Sequence, residues 1–134
     1  MEYVKNFREL EVYKSARKLS KEIFVVTKSF PKEEMYSLTD QVRRSSRSIG
    51  AQIAEAWGKR RYEKSFVTKL TDADGEQMET QHWIETALDC SYISTETSDS
   101  LLNQCASIGK MLNSMINKSA SFCIKPSLPK HTKH

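Results

Sequence analysis

Apolar residues recur at three- and four-residue steps along most of the chain, the pattern of helices that each bury one face. The first stripe is Leu10, Tyr13, Ala16, Leu19, Ile23 and Val26, with Lys14, Arg17, Lys18, Lys21 and Glu22 on the wet side. It predicts a helix over about 8–28, ended by Phe30-Pro31, because a residue before proline avoids the helical conformation. A second stripe, Leu38, Val42, Ser45, Ile49, Ile53 and Ala56, is narrow and rich in small side chains, which let neighbouring backbones approach closely. Its start is expected at Ser37, with Asp40 at capping-box spacing. Its end is expected at Gly58 as C-terminal cap, with Lys59, Arg60 and Arg61 suiting the negative end of the helix dipole. A third, long helix over about 62–91 buries Phe66, Leu70, Ala73, Gln77, Ile84, Ala87 and Leu88, interrupted by polar Gln77 and Thr80. Gly75 inside it costs about 1 kcal/mol relative to alanine, and close packing is the reading that would justify it. A fourth helix, capped by Ser94 and running to about 118, carries Leu101, Cys105, Ile108, Leu112 and Met115 at the same spacing.

Four helices joined by short connections place sequential helices antiparallel. The expectation is an all-α, antiparallel up-and-down four-helix bundle over residues 1–124, followed by a disordered basic tail over 125–134. With 134 residues the chain has the size of one domain, and 4 Gly and 3 Pro are too few for a sheet fold with many tight turns. The aliphatic run Ile23-Phe24-Val25-Val26 is far too short for a membrane span, and the first residues lack a secretory core. A cytoplasmic location and no membrane partner are expected. In that reducing setting Cys90, Cys105 and Cys123 read as small apolar fillers. The net charge of +4 hides a block structure. Residues 1–70 carry 16 basic and 9 acidic side chains, residues 71–97 carry 7 acidic and no basic ones, and the remainder carries 5 basic and 1 acidic.

The second helix reads Gln41-Val42-Arg43-Arg44-Ser45-Ser46-Arg47-Ser48-Ile49-Gly50-Ala51-Gln52-Ile53-Ala54-Glu55-Ala56-Trp57-Gly58-Lys59. This resembles the bacterial four-helix bundle proteins encoded by intervening sequences in 23S ribosomal RNA genes. The likeness extends to Phe7-Arg8-Glu9-Leu10 with Tyr13 and Ala16, to Phe30-Pro31-Lys32-Glu33-Glu34 with Leu38, and to Glu79-Thr80-Gln81 and Ala87-Leu88 with Tyr92-Ile93. Matches cover about the first ninety residues and fade in the fourth helix. Gln52 and Ala56 stand where the family usually has Asn and Gly. The resemblance implies an up-and-down bundle that forms homo-oligomers, pentamers among them, and a relation to the basic accessory proteins of diversity-generating retroelements.

Candidate chemistry is sparse. Glu79-Thr80-Gln81-His82 is a Glu-x-x-His, but a di-iron bundle needs two such motifs and two further glutamates, and His131 and His134 fall in the tail. The acids Asp72, Asp74, Glu76, Glu79, Glu85 and Asp89 spread around the circumference of a helix with 3.6 residues per turn, which suits a solvated or partner-facing side. No Gly-rich phosphate loop or nucleophile elbow is present. The expectation is a non-enzymatic protein with no metal, no cofactor and no small-molecule substrate. The basic group Arg43, Arg47, Lys59, Arg60, Arg61 and Lys64 is the candidate nucleic-acid contact, with Tyr62 as a base-stacking neighbour. Arg44 is expected to pair internally with Glu55 or an acid of the third helix. Trp57 and Trp83 are candidate interface anchors. The leading expectation is a homo-oligomeric helical scaffold binding RNA or a nucleoprotein. The alternative is a protein-interaction module using the acidic face of the third helix.

Overall fold

The computed structural model describes residues 4–124; the tail expected over 125–134 lies outside them. Four long helices dominate: α1 (Glu11–Thr27), α2 (Leu38–Gly58), α3 (Glu63–Asp89) and α4 (Thr95–Asn117), with a one-turn α5 (Ser119–Phe122). Two 3-10 turns, Phe7–Glu9 and Lys32–Glu34, precede α1 and α2. Among the described residues there is no strand. The helices pack in the cyclic order α1, α2, α3, α4, with α4 closing on α1 and the α2–α3 contact the most extensive. Lys69 meets Glu55, and Thr80 meets Ser45, so α2 and α3 run antiparallel.

The apolar stripes form most of the core; Tyr13, Val26 and Leu88 are only half-buried, while Val12 and Thr27, outside the first stripe, are buried. Leu10, Ile23, Ile49, Ile53, Phe66, Ile84, Ile108 and Leu112 are all at most 6% exposed. Each such side chain stabilises the fold by about 1.5–3 kcal/mol through burial, and Phe66→Ala would cost about 3–5 kcal/mol. The polar interruptions of α3 are satisfied in pairs. Thr80 donates to the Glu76 carbonyl at 2.8 Å and accepts from Ser45 at 2.9 Å, joining α3 to α2 inside the core. Gln77 donates to Asp74 at 2.9 Å and accepts from Gln81 at 2.7 Å.

The structure differs from expectation at both ends of α2 and at Gly75 inside α3. Ser37 makes no capping box with Asp40; its hydroxyl donates to Glu34 Oε1 at 2.7 Å, and the Leu38 amide reaches the same oxygen at 3.4 Å. The Lys32–Glu34 turn has swung a carboxylate to the start of α2, a stronger acceptor than a serine hydroxyl. Gly58 is the last helical residue rather than the C-terminal cap, and Lys59 closes α2 with φ −106°. The left-handed residue among those described is Ser91 at φ 62°. There the Tyr92 amide bonds the Ala87 carbonyl and the Ser91 amide that of Leu88, both at 2.9 Å, a Schellman ending. Finally, Gly75 is not a close approach, since a Cβ built there meets nothing within 4 Å. Gly109 on α4 is the close approach, where a Cβ would stand 2.9 Å from Gln77 Nε2. Ser94 caps α4 as expected, accepting from the Thr97 amide at 3.1 Å.

Candidate nucleic-acid interface

Because α1 and α2 are antiparallel neighbours, the wet side of α1 and the outer side of α2 share one seam. Phe24 sits on it, 37% exposed. Its ring gathers three cations: Arg43 at 4.8 Å, Lys28 at 4.9 Å and Arg47 at 5.5 Å from the centroid. All lie within cation–π range. Arg43 is fixed further by Nε donating to Thr27 Oγ1 at 2.7 Å. Among the described residues none of the three forms an ion pair.

Two open grooves meet at Arg47. One, of about 760 Å³, runs along the seam between walls that include Arg17, Lys18 and Lys21, over a floor of Ala16, Gly50, Ala51 and Ala54. The other, of about 490 Å³, lies at the start of α2 and is lined by Met35, Tyr36, Thr39, Asp40, Arg43, Arg44 and Arg47. Six basic side chains thus border the pair of grooves against one carboxylate, Asp40. Such concentration of one sign along a concave surface focuses a positive potential. Two of the six have carboxylate partners: Lys18 reaches Glu22 of its own helix at 4.0 Å, and Arg44 is held across to α3. Arg44 is the more firmly held. It pairs with Glu79 and, at 3.6 Å, with Glu76 of α3, and this partnership holds its guanidinium pKa above the ordinary value.

The structure divides the residues singled out for nucleic-acid contact. Arg43 and Arg47 belong to the seam. Lys59, Arg60, Arg61 and Lys64 lie past the far end of α2; Lys59 is twelve positions after Arg47, about 18 Å along a helix rising 1.5 Å per residue. Arg60 is built into the fold: its guanidinium stacks 3.6 Å from the Trp57 ring centroid, Nε donates to the Trp57 carbonyl, and its own carbonyl accepts from the Ile124 amide at 3.0 Å. Burial pushes its pKa down. Lys59, Arg61, Tyr62 and Lys64 are exposed. Trp57 is 9% exposed, so its ring serves the chain's own core. Trp83 is half-buried and donates Nε1 to Glu79 at 3.0 Å.

The acidic stretch of α3 is partly consumed by the fold. Glu76 and Glu79 answer Arg44, as expected for an acid of this helix, while Glu55 pairs with Lys69 at 2.9 Å. The Trp83 indole and then Arg44 draw the Glu79 pKa below the ordinary value. Asp72, Glu85 and Asp89 stay exposed. Glu79 is therefore occupied by a tryptophan and an arginine, and His82 points outward with its ring edge-on to Trp83. Among the described residues no group of three or more His, Cys, Asp or Glu side chains gathers. None of their helices is long and apolar enough to cross a membrane.

The sequence pattern puts Arg17, Lys18 and Lys21 on the wet side of the first helix and gives Phe24 and Lys28 no role. The available signal was the phase of both helices together: Arg17, Lys21, Phe24 and Lys28 step by three and four, as do Arg43 and Arg47.

A family model described as the 23S rRNA-intervening sequence protein matches residues 8–114, a stretch that runs on through most of α4, past the point where the sequence resemblance fades. Among solved structures, a protein of unknown function from the S23 ribosomal protein family of Bacteroides thetaiotaomicron VPI-5482 superposes with a TM-score of 0.73 at 31% identity. The match covers 79% of this chain and 95% of that one. No curated protein matches the chain. Neither description names an enzyme.

Proposed function

The chain belongs to the 23S rRNA-intervening sequence protein family, and on that premise we propose that it is a non-enzymatic, self-associating helical scaffold whose basic α1–α2 seam binds RNA or a nucleoprotein. The observation that carries this reading is the pair of grooves meeting at Arg47, bordered by Arg17, Lys18, Lys21 and Arg43 with Asp40 as the lone carboxylate. Phosphate contacts supply most of the affinity of such a surface, because each neutralised phosphate releases condensed counterions. The charges are also held in place. Phe24 and Thr27 position Arg43, so less side-chain freedom is lost on binding than for cations on free stems.

Fluorescence anisotropy with labelled RNA over a salt series tests the proposal. An Arg43→Gln, Arg47→Gln double variant removes two of the seam's cations and leaves the Arg60–Trp57 stack untouched. Its slope of log affinity against log salt is expected to flatten by roughly 1.5, the loss of about two phosphate contacts on a single strand. A Lys59→Gln, Arg61→Gln variant at the far end is expected to keep most of the slope. Absence of wild-type binding at low salt, or an unchanged slope in the seam variant, removes this function and leaves the exposed acids Asp72, Glu85 and Asp89 as the surface to examine for a basic protein partner.

A further inference from the structure

Tyr36 stands out from every other aromatic side chain in the described structure. It is 93% exposed, yet its backbone belongs to a fixed turn. The Met35 amide bonds the Lys32 carbonyl and the Ser37 amide the Glu34 carbonyl, both at 3.0 Å. Glu34 then ties the turn to α2 through Ser37 and to the α3–α4 connection by accepting from the Tyr92 hydroxyl at 2.8 Å. An aromatic ring on a fixed backbone offers a flat apolar face with only two side-chain torsions to order.

Tyr36 lines the 490 Å³ groove together with Arg43 and Arg47. Those two guanidiniums and the Lys28 ammonium surround Phe24, whose distances place the three cationic centres within about 10 Å of one another. Phe24 is thereby committed as the mount for the cations, and Tyr36 is the aromatic face left free. Thr39 lines the same groove, is 3% exposed, and carries a hydroxyl that no protein group satisfies. The groove's volume falls in the range of roughly 300–1,000 Å³ that suits a small organic group.

We propose that this end of the seam holds an unpaired nucleotide: Tyr36 stacks on the base while Arg43 and Arg47 hold the flanking phosphates, so that the protein prefers single-stranded to duplex nucleic acid. The inference rests on the reading of the seam as a nucleic-acid surface and adds the strandedness of the partner. A base within a duplex has both faces covered by its neighbours, so an aromatic platform contributes only where a base is already unstacked. Stacking accepts any base, so little sequence preference is expected.

The experiment compares a labelled uridine oligomer of about 12 nucleotides, within the ~4–16-nucleotide site sizes of such grooves, its deoxythymidine counterpart and a blunt RNA duplex. Each is titrated against wild type, Tyr36→Ala, Tyr36→Phe and the Arg43→Gln, Arg47→Gln variant, with thermal melts to show that each variant is folded. Wild type is expected to favour the single strands. Tyr36→Ala is expected to weaken single-strand binding roughly tenfold or more, the size of one base–aromatic stack, and duplex binding by less than about twofold; Tyr36→Phe keeps the wild-type values. Equal loss on strand and duplex, no loss in Tyr36→Ala, or a phenylalanine variant as weak as alanine each overturns the stacking role. If the arginine variant still loses affinity in those cases, the seam stands and only the base platform falls. Wild-type silence toward all three probes, or an unaffected arginine variant, overturns the seam and this inference together. A Tyr36→Ala variant that changes the molecular mass in solution without changing single-strand affinity assigns Tyr36 to self-association and overturns the proposal as well.

Discussion

At the scale of single residues, Glu34 connects more of the molecule than any charge that the sequence pattern singles out. Its carboxylate accepts from the Ser37 hydroxyl, the Leu38 amide and the Tyr92 hydroxyl. The Ser37 bond and then the Tyr92 bond hold its pKa below the ordinary 4.5, while the Tyr92 phenol is pushed up to about 12, chiefly by hydrogen bonding to Glu34. A carboxyl whose folded pKa is depressed binds fewer protons when folded than when unfolded. Its contribution to stability is therefore complete above the unfolded value and is lost as pH falls through the folded one. Glu79, lowered by Trp83 and Arg44, adds to the same trend. The melting temperature is expected to fall as pH drops below about 4.5, the carboxylate range, and to fall less steeply in Glu34→Gln, which is also less stable at neutral pH. Melts of both proteins over that range check this; an equally steep acid slope in the variant would show that Glu34 is not a contributor. The sequence displayed Glu34 only as part of Phe30-Pro31-Lys32-Glu33-Glu34. Its role depends on Tyr92, 58 positions away, and no local pattern reports such a partner.

At the scale of elements, the stripes of the four helices were legible because burial acts on each helix separately, at one fixed period. What was not legible is what two helices make jointly. Gly75 and Gly109 illustrate this, since both are glycines inside helical stretches and their sequences do not separate them. In the structure Gly75 faces open space, whereas Gly109 accommodates Gln77, whose amide is already tied to Asp74 and Gln81. Gly75→Ala is therefore expected to stabilise the protein by about 0.5–1 kcal/mol, the helix-propensity difference alone. Gly109→Ala gains the same propensity, but the new methyl displaces Gln77 from hydrogen bonds worth about 0.5–1.5 kcal/mol each. A net loss of about 1 kcal/mol is expected. Urea unfolding of both variants measures the difference, and the same sign for both would show that α3 and α4 do not meet as described. The basic seam was hidden for a like reason. Arg17 and Lys21 look like an ordinary wet face until α2 brings Arg43 and Arg47 alongside, and Phe24, an apolar residue outside the stripe, becomes the mount for three cations.

At the scale of the whole molecule, charge is segregated: the α1–α2 side is basic, and the exposed acids Asp72, Glu85 and Asp89 belong to α3. Two modes of self-association follow from this surface, and they have opposite consequences for the proposed function. In the first, the basic seam of one copy meets the acidic α3 of the next, a head-to-tail contact that closes into a ring if its rotation allows. Copies joined that way would cover the seam, and their contact would weaken with salt, since exposed charges are screened beyond about 8–10 Å at physiological ionic strength. In the second, copies meet through apolar surface away from the seam. Val25 and Met78, each 57% exposed, and Tyr62 and Ile124, 65% and 53% exposed, are side chains available for it. Burial of apolar area is not screened, so such an assembly keeps its mass as salt rises, and it repeats the seam on every subunit, raising the effective concentration of binding sites along one strand. The second mode is the one consistent with a scaffold that binds RNA. Light scattering at tens of micromolar protein, where an interface of micromolar affinity is populated, is expected to give an oligomer of unchanged mass between about 0.05 and 0.5 M salt. Added single-stranded RNA is expected to leave that oligomer intact. Dissociation to monomer in high salt, or on adding RNA, would show instead that the copies join through the seam itself, and binding of RNA would then compete with assembly.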